Sequence, residues 1–126
     1  MGDFRKLTVW DRAHRLALAT YRETMNFPKA ELYGLVAQTR RAAASVAANI
    51  VEGCGRDGDR ELVRFLRIAL GSVCELEYHL LLARDLRFLS EEVWQSLTAE
   101  AKGVRAMLAS LIAKIGRAPK RPSAVS

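Results

Sequence analysis

Apolar residues recur at helical spacing in four separate runs of the chain. In the first, about Thr8 to Asn26, Trp10, Ala13, Leu16, Ala17, Thr20 and Thr24 share one helical face. Thr8 is the expected N-cap, and Asp11 is the acid that complements the helix dipole. The run must stop before Pro28, because proline disfavours a helical residue ahead of it. The second run, about Lys29 to Gly53, has a different character. Between Ala42 and Val51 only Ser45 and Asn49 are polar, so Ala42, Ala43, Ala44, Val46, Ala47, Ala48, Ile50 and Val51 cover most of the circumference. A surface helix shows one apolar stripe roughly 100° wide. This helix therefore calls for partners on more than one side, and its alanines permit close backbone approach. Gly53 is the expected C-cap.

The third run, about Asp59 to Arg87, carries Leu62, Leu66, Ala69, Val73, Leu76, Leu80 and Ala83 alternately four and three apart. That is a heptad seam, the pattern of left-handed helix packing. Asp57 or Asp59 is expected to cap its start, and Arg60, Arg64 and Arg67 share its outer face. The fourth run, about Glu91 to Ile115, has Ser90 as N-cap and an apolar stripe of Val93, Leu97, Val104, Leu108, Leu111 and Ile115. Beyond Gly116 the prolines and cations of RAPKRPSAVS show no periodicity. The expected architecture is all-α, an antiparallel up-down-up-down four-helix bundle over 1–115 with a flexible basic tail over 116–126. The apolar surplus of the second helix exceeds what one bundle hides, which predicts a cyclic homo-oligomer.

The block QTRRAAASVAANIVEGCGR, Gln38 to Arg56, closely resembles the Q-x-R-R-A-A-x-S-I-x-x-N-I-A-E-G-x-G-R pattern of the four helix bundle protein family, also called ribosomal-RNA intervening-sequence proteins. RFLRIALGSVCELEYHL, Arg64 to Leu80, resembles the family's R-F-L-x-I-A-x-G-S-x-x-E-L-E. Leu7 to Leu35 resembles its opening block, and the likeness spans roughly residues 4–112. The motif positions are Arg40, Arg41, Ser45, Asn49, Glu52, Gly53, Arg56, Arg64, Gly71, Glu75 and Glu77. The resemblance implies an antiparallel bundle assembling as a ring, typically a pentamer, with no known catalytic activity. Accessory proteins of diversity-generating retroelements, more distantly similar, form basic rings that bind nucleic acid and a reverse transcriptase. By that likeness a reverse transcriptase is a candidate protein partner.

Composition narrows the classes further. The 126 residues suit one domain, and 50% hydrophobic with 27% charged residues is a globular balance. No run of about 18 uncharged apolar residues occurs, so no membrane partner is expected. The charged opening MGDFRKLTVWDR lacks the apolar core of a secretory signal, which predicts a cytoplasmic protein.

Candidate chemistry is sparse. Two cysteines, Cys54 and Cys74, exclude a disulfide framework or a four-thiolate metal site. Cys54 has no histidine nearby in sequence to activate it, and Cys74 is simplest as a small packing residue. A di-iron bundle needs Glu-x-x-His pairs, whereas His79 has Leu76 three positions before it and His14 has Asp11. Both histidines are expected to be ordinary and partly exposed, and both tryptophans to lie in the core. GCGRDG lacks the Gly-Lys-Ser/Thr ending of a phosphate loop. No metal, no cofactor and no enzyme activity are expected.

Ser45, Asn49 and Glu52 form a polar line along the apolar helix. It is either a binding groove or, as preferred here, a hydrogen-bond network that sets register, with Glu52 paired to Arg56 or to a neighbour's arginine. Glu75 and Glu77 join that structural set. The net charge of +6 is the best functional lead. Its excess falls on residues 1–56 and 88–126, while 57–87 is close to balanced. A five-fold ring would carry about +30, a strong field for a polyanion. Without a base-reading motif, such a surface binds RNA or DNA backbone with little sequence preference. The expected contacts are Arg12, Arg15, Arg40, Arg41, Arg60, Arg64 and Arg67, with Lys114, Arg117, Lys120 and Arg121. Arg40 and Arg41 have inter-subunit salt bridges as their other possible role. The alternative function is a protein–protein interaction module whose charge serves solubility.

Overall fold

The computed structural model describes residues 2–117. Four long helices account for most of them: α1 Thr8–Thr24, α2 Ala37–Gly55, α3 Asp59–Asp85 and α4 Glu91–Arg117. No strand occurs among the described residues. Helices adjacent in sequence pack together, and α4 closes back on α1. On the α2–α3 seam Arg41 meets Glu75 at 3.9 Å, Ser45 meets Ser72 at 2.9 Å, and Gly53 lies against Leu62. Positions rise on α2 as they fall on α3, so the two run antiparallel. The α3–α4 seam behaves alike, with Glu77 3.0 Å from Arg105 and Arg84 over the Trp94 ring. So does the α1–α4 seam, where Leu7 to Val9 lie beside Ala106 to Leu111 and Arg12 reaches Glu100 at 3.1 Å.

The heptad seam of α3 forms the centre of the core. Leu62, Leu66, Ala69, Val73, Leu76, Leu80 and Ala83 are all buried. They pack with Ala13, Leu16 and Ala17 of α1, Val46 and Ile50 of α2, and Leu97, Val104 and Leu108 of α4. A leucine moved from water into such a core contributes about 1.5–3 kcal/mol. Three buried threonines donate to carbonyls four residues earlier: Thr20 to Leu16 at 2.8 Å, Thr24 to Thr20 at 2.8 Å, and Thr39 of α2 to Leu35, just ahead of that helix, at 2.6 Å.

Several helix ends differ from the sequence expectation. Asp3 accepts from the Arg5 backbone N–H at 3.0 Å and starts a short 3-10 turn, Phe4–Lys6, which feeds directly into α1. Thr8 is therefore the first helical residue, and Leu7 precedes it without a side-chain cap. α1 stops at Thr24, short of Asn26, in turn hydrogen bonds from Met25 and Asn26. The stretch expected to open the second helix at Lys29 is irregular. A 3-10 turn covers Lys29–Glu31 and a wider π-turn covers Leu32–Val36, with Gly34 off helical angles, so α2 begins only at Ala37.

Gly53 is not a C-cap. It is buried inside α2, which runs on to Gly55. A Cβ there would stand 3.1 Å from both the Leu62 Cδ1 and the Phe65 Cβ, so glycine sets the approach of α3. Neither Asp57 nor Asp59 caps α3; Gly58 turns the chain at φ 83°, and Asp59 and Glu61 in the first turn complement the dipole. α3 ends at Asp85, not Arg87. Arg87 takes φ 65° and the Phe88 N–H returns to the Ala83 carbonyl at 2.9 Å, a Schellman ending. Ser90 does cap α4, its Oγ accepting from the Val93 N–H at 3.2 Å. α4 continues two residues past the expected Ile115, to Arg117. Of the tail expected over 116–126, Gly116 and Arg117 belong to α4, and 118–126 lie outside the described residues.

Two glycine substitutions separate packing from propensity. Gly53→Ala should lower stability by about 1–3 kcal/mol, because beside the movable Leu62 Cδ1 stand the Phe65 Cβ at 3.1 Å and the Leu62 carbonyl oxygen at 3.3 Å, both fixed to the α3 backbone. Gly71→Ala, in exposed mid-α3 with nothing within 4 Å of the new Cβ, should raise it by up to about 1 kcal/mol. Urea unfolding of both variants checks the opposite signs.

Candidate functional site

Burial divides α2 by side. Ala42, Ala43, Val46, Ala47 and Ile50 are buried against α1 and α3, so much of the apolar surplus is covered within one chain. Ala37 and Ala48 remain exposed, and Ala44 and Val51 are half-buried. The alanines leave a shallow open groove of about 810 Å3 between α1 and α2. Tyr21, Leu32 and Tyr33 stand along it beside Ala44 and Ala48. Tyr33 is 90% exposed and Met25, one turn beyond Tyr21, is 74% exposed. The π-turn before α2 is what presents Leu32 and Tyr33 outward while Leu35 and Val36 enter the core. These aromatic and aliphatic residues were not anticipated as a surface. The signal was available: Leu18, Tyr21 and Met25 repeat at helical spacing, offset from the core stripe of α1.

Ser45 and Asn49 of the polar line lie half-buried on the α2–α3 side, while Glu52 is exposed. Ser45 Oγ shares a hydrogen bond with Ser72 Oγ at 2.9 Å, and Asn49 donates to the Ser45 carbonyl at 2.8 Å and to its Oγ at 2.9 Å. Glu52 lies 3.6 Å from Arg56, whose guanidinium covers the Phe65 ring. Glu75 faces Arg41 at 3.9 Å and His79 at 3.8 Å, and Glu77 is held by Arg105. Within one chain these groups pair with one another, and the Glu52, Arg56 and Glu75 side chains stay about half exposed.

The expected cationic contacts fall into three groups. The first stitches helices together. Arg12 pairs with Glu100, and Arg41 with Glu75 and with the Gln38 amide oxygen. Arg40 donates to Thr24 Oγ1 at 2.9 Å and to the Tyr21 carbonyl at 3.3 Å, with its guanidinium over the Tyr21 ring. Arg40 is thus half-buried on the α1–α2 seam. The second group pairs along its own helix: Arg15 with Asp11 at 3.1 Å and Arg64 with Glu61 at 2.7 Å. Such exposed pairs are worth about 0–1 kcal/mol, and a phosphate competes with them readily. The Arg64 hydrogen bond holds the exposed Glu61 carboxyl below its ordinary range.

The third group is Arg60, Arg67 and Lys114, which have no salt bridge among the described residues. Arg60, Arg64 and Arg67 line one open depression of about 490 Å3 on α3, with Glu61 and Ile68. Lys114 lies elsewhere, on the α1–α4 seam. The Arg117 side chain, Lys120 and Arg121 lie outside the described residues.

The remaining candidates for chemistry sit apart. Cys54 is half-buried in the last turn of α2, where burial pushes its thiol up. Cys74 is exposed, correcting its assignment as a packing residue, because it faces out from α3 and the seam lies opposite. His14 stacks on Trp10 in the open, whereas His79 is mostly buried and its Nδ1 makes no hydrogen bond. Trp10 and Trp94 are each half-buried, Trp94 beneath Arg84. Among the described residues no three His, Cys, Asp or Glu side chains come together to hold a metal ion. No helix there is long and apolar enough to cross a membrane.

This is an all-helical four-helix bundle with a cationic depression on one flank and an apolar groove on another. The chain belongs to the 23S rRNA-intervening sequence protein family, whose model matches residues 5–110. It is also similar to a crystal structure of a protein of unknown function from the S23 ribosomal protein family of Bacteroides thetaiotaomicron. The TM-score is 0.76 at 24% identity, covering 83% of this chain and 98% of that one. At that identity the likeness concerns the fold. No curated protein matches the chain.

The two thiols offer a direct check on the local environments. At pH 7.5 iodoacetamide should alkylate exposed Cys74 well before Cys54, whose raised thiol is short of thiolate. Mass spectrometry of tryptic peptides over time resolves the order, and faster labelling of Cys54 would contradict it.

Proposed function

We propose that the protein is a non-enzymatic scaffold that assembles with copies of itself into a ring and binds RNA or DNA backbone with little sequence preference. The observation that carries the reading is the uncovered side of α2. Ala44 and Ala48 have too little side chain to shield their own surface, and Tyr21, Leu32 and Tyr33 beside them are exposed. Contiguous exposed apolar surface of this kind marks an interface. A neighbouring copy buries it without any change in the bundle. A heterologous contact of this type generates a ring when its rotation closes.

Assembly multiplies the +6 charge of each chain. Arg60, Arg64 and Arg67 are the described cations best grouped to meet phosphates. Arg15 and Lys114, with Arg117, Lys120 and Arg121, extend the basic surface. Arg12 and Arg41, in exposed pairs with Glu100 and Glu75, and Arg40 on the α1–α2 seam add to it. Arginine forks suit phosphate oxygens, and nothing in the depression reads base edges.

Native mass spectrometry at micromolar concentration should give a particle several times the mass of one chain. Tyr33→Glu combined with Ala48→Glu should return it to single chains with unchanged helix content by circular dichroism. A single chain in the unsubstituted protein would end the assembly reading. Retention of a mixed-sequence RNA should weaken by about a hundred-fold or more between about 50 and 200 mM salt. Arg60→Glu with Arg67→Glu should weaken it uniformly across sequences and flatten the salt slope by about 2. No retention at low salt would remove the nucleic-acid half of the reading.

A further inference from the structure

A second groove, of about 450 Å3, opens along the seam between the start of α1 and the end of α4. Leu7, Val9, Met107 and Leu111 line it, with Ser110 and Lys114. It is separate from the α1–α2 groove, lying on the flank of α1 that faces α4. The charged residue that lines it is a lysine, and cations outnumber acids around it. Exposed Arg5 and Lys6 lead into Leu7, and Lys114 lines the far wall. From Ala101 to Arg117, α4 carries Lys102, Arg105, Lys114 and Arg117 but no carboxylate. Of the acids on adjoining turns, Asp11 pairs with Arg15 at 3.1 Å and Glu100 with Arg12 at 3.1 Å, while Asp3, which accepts the Arg5 backbone N–H, keeps its charge and is outnumbered by Arg5, Lys6 and Lys114.

An apolar trough open along its length does not enclose a small molecule, which needs a cleft burying most of its surface. Its shape suits the apolar face of a helix laid beside the bundle. The α4 wall from Ala106 to Lys114 is about 12 Å long, a little over two helical turns. That length takes anchors at i, i+4 and i+7. The cationic rim selects what flanks them: carboxylates meet Lys114, Arg5 and Lys6, whereas a basic helix meets like charge.

We propose that the α1–α4 groove docks a two-turn acidic amphipathic helix from a partner protein. Apolar anchors enter between Leu7, Met107 and Leu111, and Asp or Glu beside them reach Lys114 and the Arg5–Lys6 turn. Neither nucleic acid nor assembly of copies is needed for this contact.

The full chain is titrated into two fluorescein-labelled peptides with identical leucine anchors, one flanked by glutamates and the other by lysines. Anisotropy should show the glutamate peptide binding at least about ten-fold tighter. Lys114→Glu should weaken it by about ten-fold and favour the lysine peptide, while Arg22→Glu, the same charge change on exposed α1 away from the groove, should leave it within about two-fold. Leu111→Asp should abolish binding; Met107→Gln, a milder change, should weaken it with native circular dichroism. Equal binding of the two peptides would overturn the proposal. So would equal effects of Lys114→Glu and Arg22→Glu, which would mean attraction to net charge alone. If Leu111→Asp lowers the native mass but leaves peptide binding intact, the groove belongs to copies of this chain and the proposal likewise fails.

Discussion

The small side chains of α2 set the geometry of the bundle. Ala42, Ala43 and Ala47 let its neighbours approach closely, and Gly53 lets α3 come within contact of its backbone. Close packing gains dispersion contacts on both flanks at once. The same smallness has a cost on the third side. Ala44 and Ala48 cannot cover the backbone and side chains around them, so the outward face is shallow and apolar. Core packing and exposed groove are thus two results of one compositional choice.

The basic charge is divided by that geometry. Each seam of the bundle holds an arginine: Arg12 between α1 and α4, Arg40 between α1 and α2, Arg41 between α2 and α3, and Arg105 between α3 and α4. Hydrogen bonds to neutral groups and a ring face engage Arg40; the other three meet carboxylates. The cations without a partner on another helix include a set that faces outward, grouped on α3 by the i, i+4, i+7 spacing of Arg60, Arg64 and Arg67. A net charge counted from the sequence weighs all these residues alike. The fold does not.

The helices and their buried faces were legible because periodicity reports burial directly. Every member of the Leu62 to Ala83 seam is in the core. Helix ends were harder, because capping depends on local backbone geometry. Gly58 and Arg87 take positive φ where side-chain caps or continued helix were expected, and the irregular turns before Ala37 leave little trace in hydrophobic spacing. Gly53 illustrates the limit well: a glycine near a helix end signals a cap in sequence, and only the position of Phe65 shows that it is a packing residue. The exposed rim of Tyr21, Leu32 and Tyr33 was missed because apolar residues were assigned to the core by default. Cys74 was misplaced for the same reason.

The most direct test of the account is whether water reaches the outer side of α2 in the native protein. Ala48→Cys places a thiol at the centre of that face, and exposed Cys74 in the same molecule provides an internal reference. If copies cover the face, a maleimide should label position 48 at least about ten times more slowly than Cys74, and the two should react alike once the protein is unfolded in urea. Equal rates in the native protein would show the face open to solvent and contradict the central claim.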